Sequence, residues 1–61
     1  MYDKIEKLMK EKNQTAYQVS KATGITQASL SDYKLGKSIP KFDKLQKLAK
    51  HFGVTVDYFA E

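Results

Sequence analysis

The sequence predicts an all-α protein, and three observations carry that prediction. Apolar residues recur at helical spacing along most of the 61 residues. Three Gly and one Pro fall between these apolar groups, where they interrupt an otherwise helix-friendly chain. Residues suited to helix N-caps precede several of the groups. We therefore expect five short helices and no strand.

The first helix is expected over residues 3–12. Asp3 is predicted as its N-cap, with Glu6 three residues later. The apolar residues of this segment lie at i, i+3 and i+4, on one face: Ile5, Leu8 and Met9. The other face is charged, so we expect it to lie in water.

The second helix is predicted to begin at Thr15, which forms a capping-box pair with Gln18. It is predicted to end at Gly24, because the residue after a helix often needs positive φ. Its inner face is narrow and made of small residues: Ala16, Val19, Ser20 and Thr23. A third helix can therefore cross it closely.

Thr26 is the predicted N-cap of the third helix, which ends at Gly36. Ile25, Leu30 and Tyr33 anchor this helix to the core. Its opposite face is predicted to be free: Gln27, Ala28, Ser31 and Asp32.

The fourth helix follows Pro40, ends at Gly53 and carries the strongest apolar stripe of the chain: Phe42, Leu45, Leu48, Ala49 and Phe52. We expect all five of these side chains in the core. Thr55 is the predicted cap of a last short helix in which Val56 and Phe59 share a side. His51, in the last turn of the fourth helix, is expected to be a surface residue with no metal or catalytic role.

Size and composition exclude several functional classes. A chain of 61 residues makes one domain, residues 1–61, near the lower limit for unaided folding. It has no cysteine and a single His, so we expect no disulfide and no metal. No carboxylate pair, nucleophile–base couple or phosphate-binding Gly loop is present, so we expect neither an enzyme nor a cofactor. The apolar runs are too short for a membrane span or a secretory leader, which predicts a cytoplasmic location.

The net charge of +4, from eleven Lys and no Arg, favours a polyanionic partner, although small domains also use such charge for solubility. The tight Gly24 turn and the small inner face of the second helix indicate a helix-turn-helix over about residues 15–35. In that geometry the second helix of the pair lies in the DNA major groove. An ordinary helical corner with a glycine cap is the alternative.

A larger set of residues, spread over about residues 3–59, carries a resemblance: Thr15, Val19-Ser20, Gly24-Ile25-Thr26-Gln27, Ser29-Leu30-Ser31, Tyr33, Gly36-Lys37, Pro40, Leu45, Leu48-Ala49, Phe52-Gly53-Val54 and Asp57. With these residues the chain resembles the phage-repressor-like and Cro-like helix-turn-helix domains, also called the xenobiotic response element (XRE) family. The resemblance implies a compact five-helix lambda-repressor-like domain. It further implies a transcriptional regulator, typically a repressor, that binds operator DNA as a dimer on a palindrome.

The resemblance implies two sets of DNA contacts. By resemblance to the family, the base contacts are expected on the free face of the third helix: Gln27, Ala28, Ser31 and Asp32. The phosphate contacts, which position without reading sequence, are Thr15, Tyr17, Lys21, Thr26, Ser29, Lys34, Lys37 and Ser38, with Lys41 as a further candidate. The Gln27 amide suits adenine, and the Ala28 methyl suits a thymine methyl. Asp32 can accept from cytosine N4, or it can simply pair with a nearby lysine.

Two departures from the family pattern affect the expected specificity. Ala16 stands where many relatives carry a glutamine, and the absence of Arg removes the commonest guanine reader. We therefore expect adenine and thymine contacts and DNA shape to dominate the readout.

The resemblance places the dimer contact on the last helix, with Val56 and Tyr58 as candidates, whereas Val54 and Phe59 are expected to face the core. The alternative is that all four residues only cap the core. Whether the chain is a minimal Cro-like protein or the amino-terminal part of a longer repressor stays open. A second functional hypothesis is a protein-interaction module of the same fold, such as an antitoxin or antirepressor. A homeodomain is disfavoured because the third helix lacks the basic, Asn-bearing pattern.

Overall fold

A computed structural model describes residues 1–60 and contains five α-helices in that range. They are α1 (Tyr2–Glu11), α2 (Ala16–Thr23), α3 (Gln27–Leu35), α4 (Phe42–Phe52) and α5 (Val56–Ala60). No strand occurs in the described range. The predicted all-α class is therefore confirmed. None of the described helices has the length and apolar character that crossing a membrane requires.

All five helices contribute to one core. α2 packs against α3 and α4, α1 packs against α3, and α5 packs against α4. The buried apolar side chains come from every helix and from the turn between α2 and α3: Ile5, Leu8, Met9, Val19, Ile25, Leu30, Leu48, Ala49, Phe52 and Phe59. Because no helix has a core of its own, each depends on the others for stability.

The predicted boundaries of α2 and α3 are confirmed by their caps. The Thr15 hydroxyl accepts from the Gln18 N–H at 3.2 Å, and the Gln18 Oε1 accepts from the Thr15 N–H at 2.9 Å. The Thr26 hydroxyl accepts from the Ser29 N–H at 3.1 Å. Gly24 ends α2 with φ of +80°. A Cβ at Gly24 would meet no atom within 4 Å, so glycine is favoured there by the backbone conformation alone.

The prediction that Asp3 is the N-cap of α1 is wrong. The helix begins at Tyr2, so that Met1 occupies the cap position without a side-chain cap bond. Asp3 lies in the first turn, where its carboxylate is 3.1 Å from the Met1 ammonium. A hydrogen bond from this ammonium, together with its charge, lowers the pKa of Asp3. An ion pair therefore replaces the expected cap.

The prediction that Phe42 is a core residue is also wrong. Its side chain is 64% exposed, whereas Leu48, Ala49 and Phe52 of the same stripe are buried and Leu45 is half-buried. The helical spacing is as predicted, but the core does not extend to the first turn of α4. Pro40 is buried at that end of the molecule. Phe42, two residues later, lies on the surface.

The last helix is fixed to the first by Lys4. Its Nζ donates to the Tyr58 carbonyl at 3.0 Å and lies 5.3 Å from the centroid of the Tyr58 ring. Phe59 is buried, as predicted, while Val54, Val56 and Tyr58 are half-buried and pack against the core. Val56 and Tyr58 thus contribute to holding α5 in place.

Candidate nucleic-acid interface

The turn between α2 and α3 is held by the buried residue Thr23. Its hydroxyl donates to the Val19 carbonyl at 2.7 Å and accepts from the Ile25 N–H at 3.2 Å. Ile25 is buried beside it and anchors the turn in the core. Sequence reasoning assigned Thr23 only to the small inner face of α2 and missed this role. The signal that could have revealed this role is a Thr directly before the C-cap glycine, because a Thr hydroxyl there can bond the backbone of the turn.

The first turns of α3 present the predicted base-contacting side chains at the surface. Gln27, Ala28 and Ser31 are exposed, and Asp32 is half-buried. The ion pairs described within residues 1–60 do not include Asp32, so its alternative role as a lysine partner gains no support there. Burial raises the pKa of the neighbouring Tyr33, and the negative charges of Asp43 and Asp32 raise it further.

The amino end of α2 offers hydrogen-bond donors to an anion. The capping box occupies the Thr15 N–H and one lone pair of its hydroxyl, whose proton remains free to donate outward. The N–H groups of Ala16 and Tyr17, in the first turn, have no carbonyl one turn earlier within the helix. These N–H groups lie at the positive end of the helix dipole. Free donors and a positive partial charge together are suited to binding a phosphate.

Thr26 and Ser29 form a small hydroxyl pair at the start of α3. The Thr26 hydroxyl donates to the Ser29 hydroxyl at 2.9 Å while it accepts from the Ser29 N–H. The Ser29 proton is thereby available to a further acceptor. Both predicted phosphate-contacting side chains lie together, at the end of α3 that also carries Gln27.

Lysine side chains flank the carboxyl end of α3. Lys34, Lys37 and Ser38 are all exposed. The Lys34 Nζ lies 3.9 Å from Glu6 Oε2, and the other oxygen of Glu6 is 3.8 Å from Lys10 Nζ. Sequence reasoning missed Glu6 as a neighbour of Lys34, because the two residues are far apart in the chain. Lys34, a predicted phosphate contact, therefore already has a carboxylate neighbour within the protein.

Tyr17 and Lys21 share the outer face of α2 one turn apart. The Lys21 Nζ lies 5.6 Å from the centroid of the Tyr17 ring, within the range of a cation–π contact. Both side chains are exposed. One positive charge and one aromatic ring therefore lie side by side on the exposed face of α2.

A second feature joins α4 to the turn after α1. The His51 Nε2 is 2.6 Å from Gln14 Oε1, which is a hydrogen-bond distance. His51 is also half-buried, and is therefore more enclosed than the surface position that the sequence predicted. It lines a surface cavity of about 410 Å³ together with Ala22, Thr23, Lys47 and Lys50. Within residues 1–60 no group of three or more His, Cys, Asp and Glu residues is placed to hold a metal ion.

Comparison with known proteins gives one family. The profile of the helix-turn-helix family HTH_3 matches residues 5–59, and therefore includes all five helices at least in part. No curated protein and no solved structure gives a significant match. Members of HTH_3 are DNA-binding regulators of the XRE and Cro-like type, generally without enzymatic activity, and they share the lambda-repressor-like fold. The chain belongs to this helix-turn-helix family of DNA-binding regulators.

Proposed function

We propose that this protein is a repressor of transcription that binds a palindromic operator through the major groove, as a dimer, in the cytoplasm. The observation that carries the proposal is the distribution of groups along α3. Exposed side chains that suit base edges lie on its free face, and groups that suit phosphates lie at both of its ends.

Gln27 is the proposed principal base reader. It is the first residue of α3 and exposed, so its amide can reach adenine N6 and N7 without displacing a protein contact of the core. Ala28 and Ser31 complete the readout, with a methyl for thymine and a hydroxyl for either edge. Asp32 joins them only opposite a cytosine amine, since its charge is repelled by phosphates.

The phosphates are proposed to be held at two places. The first is the start of α2, with the Thr15 hydroxyl and the first free N–H groups, supported by Tyr17 and Lys21 and by the hydroxyl pair Thr26 and Ser29. The second is the carboxyl end of α3, with Lys34, Lys37 and Ser38. Contacts at both ends of α3 would fix the register of the helix in the groove.

The test begins with in-vitro selection of bound duplexes from a random library at near-physiological salt. A short inverted repeat with half-sites about one helical turn apart would support the proposal. Binding that is weak, uniform in sequence and abolished by salt would refute it, and would favour a protein-interaction module instead.

Two variants separate reading from positioning on the selected site. Gln27→Ala is expected to cost about 1–3 kcal/mol on that site and little on random DNA, because it removes a base contact. The matched control is Gln46→Ala, at an exposed position of α4, which should change neither affinity.

Lys37→Ala should weaken binding to both DNAs alike and lower the salt slope by about one unit, because it removes a phosphate contact. Its control is Lys50→Ala, which also removes one positive charge, but beside the surface cavity that His51 lines. Equal salt slopes for Lys37→Ala and the unchanged protein would contradict the proposed role of Lys37.

A further inference from the structure

The hydrogen bond between His51 and Gln14 joins two parts of the chain that are 37 positions apart. The His51 Nε2 lies 2.6 Å from the Gln14 Oε1, and both residues are half-buried. An amide oxygen can only accept, so the Nε2 atom carries the proton of this bond. Gln14 directly precedes Thr15, which is the N-cap of α2 and a predicted phosphate contact. The bond therefore extends from α4 to the residue beside a proposed DNA contact.

We infer that His51 is a positioning residue for DNA binding. It holds Gln14, and thereby keeps the amino end of α2 in the orientation that a phosphate requires. His51 acts through Gln14 and does not itself contact DNA. The inference rests on the proposed function and deepens it, because it names what holds one of the two proposed phosphate sites in place.

The first turn of α2 has little packing of its own. Thr15 and Tyr17 are exposed, and Ala16 is half-buried against the core. The first fully buried side chain of the helix is Val19, one turn further on. A helix end with few buried contacts opens more readily than the centre of the helix. A contact from outside the helix is therefore needed to hold this turn in one orientation.

The turn between α1 and α2 is otherwise bonded to α1. The Gln14 N–H donates to the Met9 carbonyl at 2.8 Å, and the Asn13 N–H donates to the Lys10 carbonyl at 3.2 Å. These bonds fix the turn relative to α1, whereas α2 packs mainly against α3 and α4. Among the hydrogen bonds described within residues 1–60, the His51 bond is the one that ties this turn to α4. It therefore relates the start of α2 to a helix against which α2 packs.

His51 is itself attached to a fixed part of the core. Its ring meets the Phe52 ring edge to face, with 4.8 Å between the two centroids. Phe52 is buried, and so are Leu48 and Ala49 in the preceding turn of α4. The imidazole is thus carried by the best-buried part of α4, and can serve as an anchor for Gln14.

Orientation matters because the donors at this helix end must point at one phosphate together. They are the Thr15 hydroxyl and the N–H groups of Ala16 and Tyr17. A hydrogen bond weakens steeply when its angle falls below about 120°. Releasing Gln14 should therefore weaken binding by about five- to ten-fold, which is the order expected for one hydrogen bond. The loss should be equal on the selected site and on random DNA, because phosphates carry no sequence information.

The test uses two substitutions that differ by one methylene group. His51→Gln places an amide N–H as many bonds from the Cα as the imidazole Nε2, so it can keep the bond to Gln14. His51→Asn places its amide one bond closer to the backbone and cannot reach Gln14. His51→Gln should bind both DNAs within about two-fold of the unchanged protein, whereas His51→Asn should show the five- to ten-fold loss. Urea unfolding of both variants verifies that they are fully folded under the binding conditions.

A double-mutant cycle tests whether the effect passes through Gln14. Gln14→Ala should cause the same loss as His51→Asn, and the double variant should lose no more than either single variant. The control is Lys50→Ala, which removes the side chain directly before His51 on α4. It should leave the affinity unchanged.

A scan of the duplex with single methylphosphonates, which are neutral, provides a readout that lost stability would not change. A smaller folded fraction would weaken binding to every substituted duplex by the same factor. His51→Asn should instead lose its sensitivity at one or two phosphates and keep it at the others. Those phosphates should differ from the ones whose sensitivity disappears in Lys37→Ala, because Lys37 lies beyond the other end of the recognition helix.

The outcomes separate this inference from the proposed function. If the unchanged protein bound no DNA, the proposed function would be refuted and this inference with it. If the unchanged protein binds, four results would each overturn the inference alone. They are an unchanged affinity of His51→Asn, a loss in His51→Gln as large as that in His51→Asn, additive losses in the cycle, and an unchanged pattern of phosphate sensitivity.

Discussion

Thr23→Val is expected to destabilise the protein through one unpaired N–H in the turn that joins α2 to α3. Valine has nearly the shape of threonine, so no cavity forms, but the acceptor of the buried Ile25 N–H is lost. An unsatisfied buried donor costs about 1–3 kcal/mol. A domain of this size has about 3–9 kcal/mol of stability in total. The substitution should therefore remove a large fraction of it and lower Tm by about 5–20 °C.

The assay is thermal and urea unfolding followed by far-ultraviolet circular dichroism, which suits an all-α chain without Trp. Thr23→Ser is the control, because it keeps both hydrogen bonds and loses only a methyl group. It should cost about 1 kcal/mol. The reasoning is refuted if Thr23→Val is as stable as the unchanged protein, or if Thr23→Ser is destabilised more than Thr23→Val.

Three further predictions follow from the described contacts. Phe42→Ala should change the free energy of unfolding by less than about 0.5 kcal/mol, whereas Phe52→Ala, at a site only 2% exposed, should lower it by about 3–5 kcal/mol. Urea unfolding of the two variants compares them directly. Equal losses would contradict the assigned burial. The pKa of Tyr33 is raised, so its contribution to stability is present below about pH 10 and is lost as pH rises through the higher folded value. Tyr33→Phe should therefore lose less stability than the unchanged protein as the pH rises above about 10, and equal losses in urea unfolding would be evidence against the raised pKa. Glu6→Gln removes the acidic partner of Lys34 and should tighten DNA binding at low salt. The gain should be only about two- to five-fold, because exposed ion pairs are weak. An unchanged affinity would place Lys34 outside the contact with DNA.

The sequence predicted most of the local structure because local signals specify it. Thr15 with Gln18, and Thr26 before α3, satisfy helix ends within a few residues of themselves, and glycine is the residue that most readily takes positive φ at Gly24. The apolar spacing likewise identified the faces of α1 and α4. The predicted DNA contacts remain predictions, because they depend on a partner and not on the chain alone.

Local signals failed where a distant element decides the environment. Helical spacing puts Phe42 on the core face of α4, but the extent of the core depends on how α4 packs against the rest of the molecule, and that leaves Phe42 in water. The neighbours Lys34 and Glu6 also come from different helices.

The sequence by itself determined the helices, the caps of α2 and α3 and the helix-turn-helix spacing, since these follow from residues a few positions apart. Only the tertiary structure decided which apolar side chains the core could enclose, because burial depends on every helix at once. It thereby also left Leu35, Ile39 and Phe42 exposed at the surface, whereas Val56 and Tyr58 are half-buried.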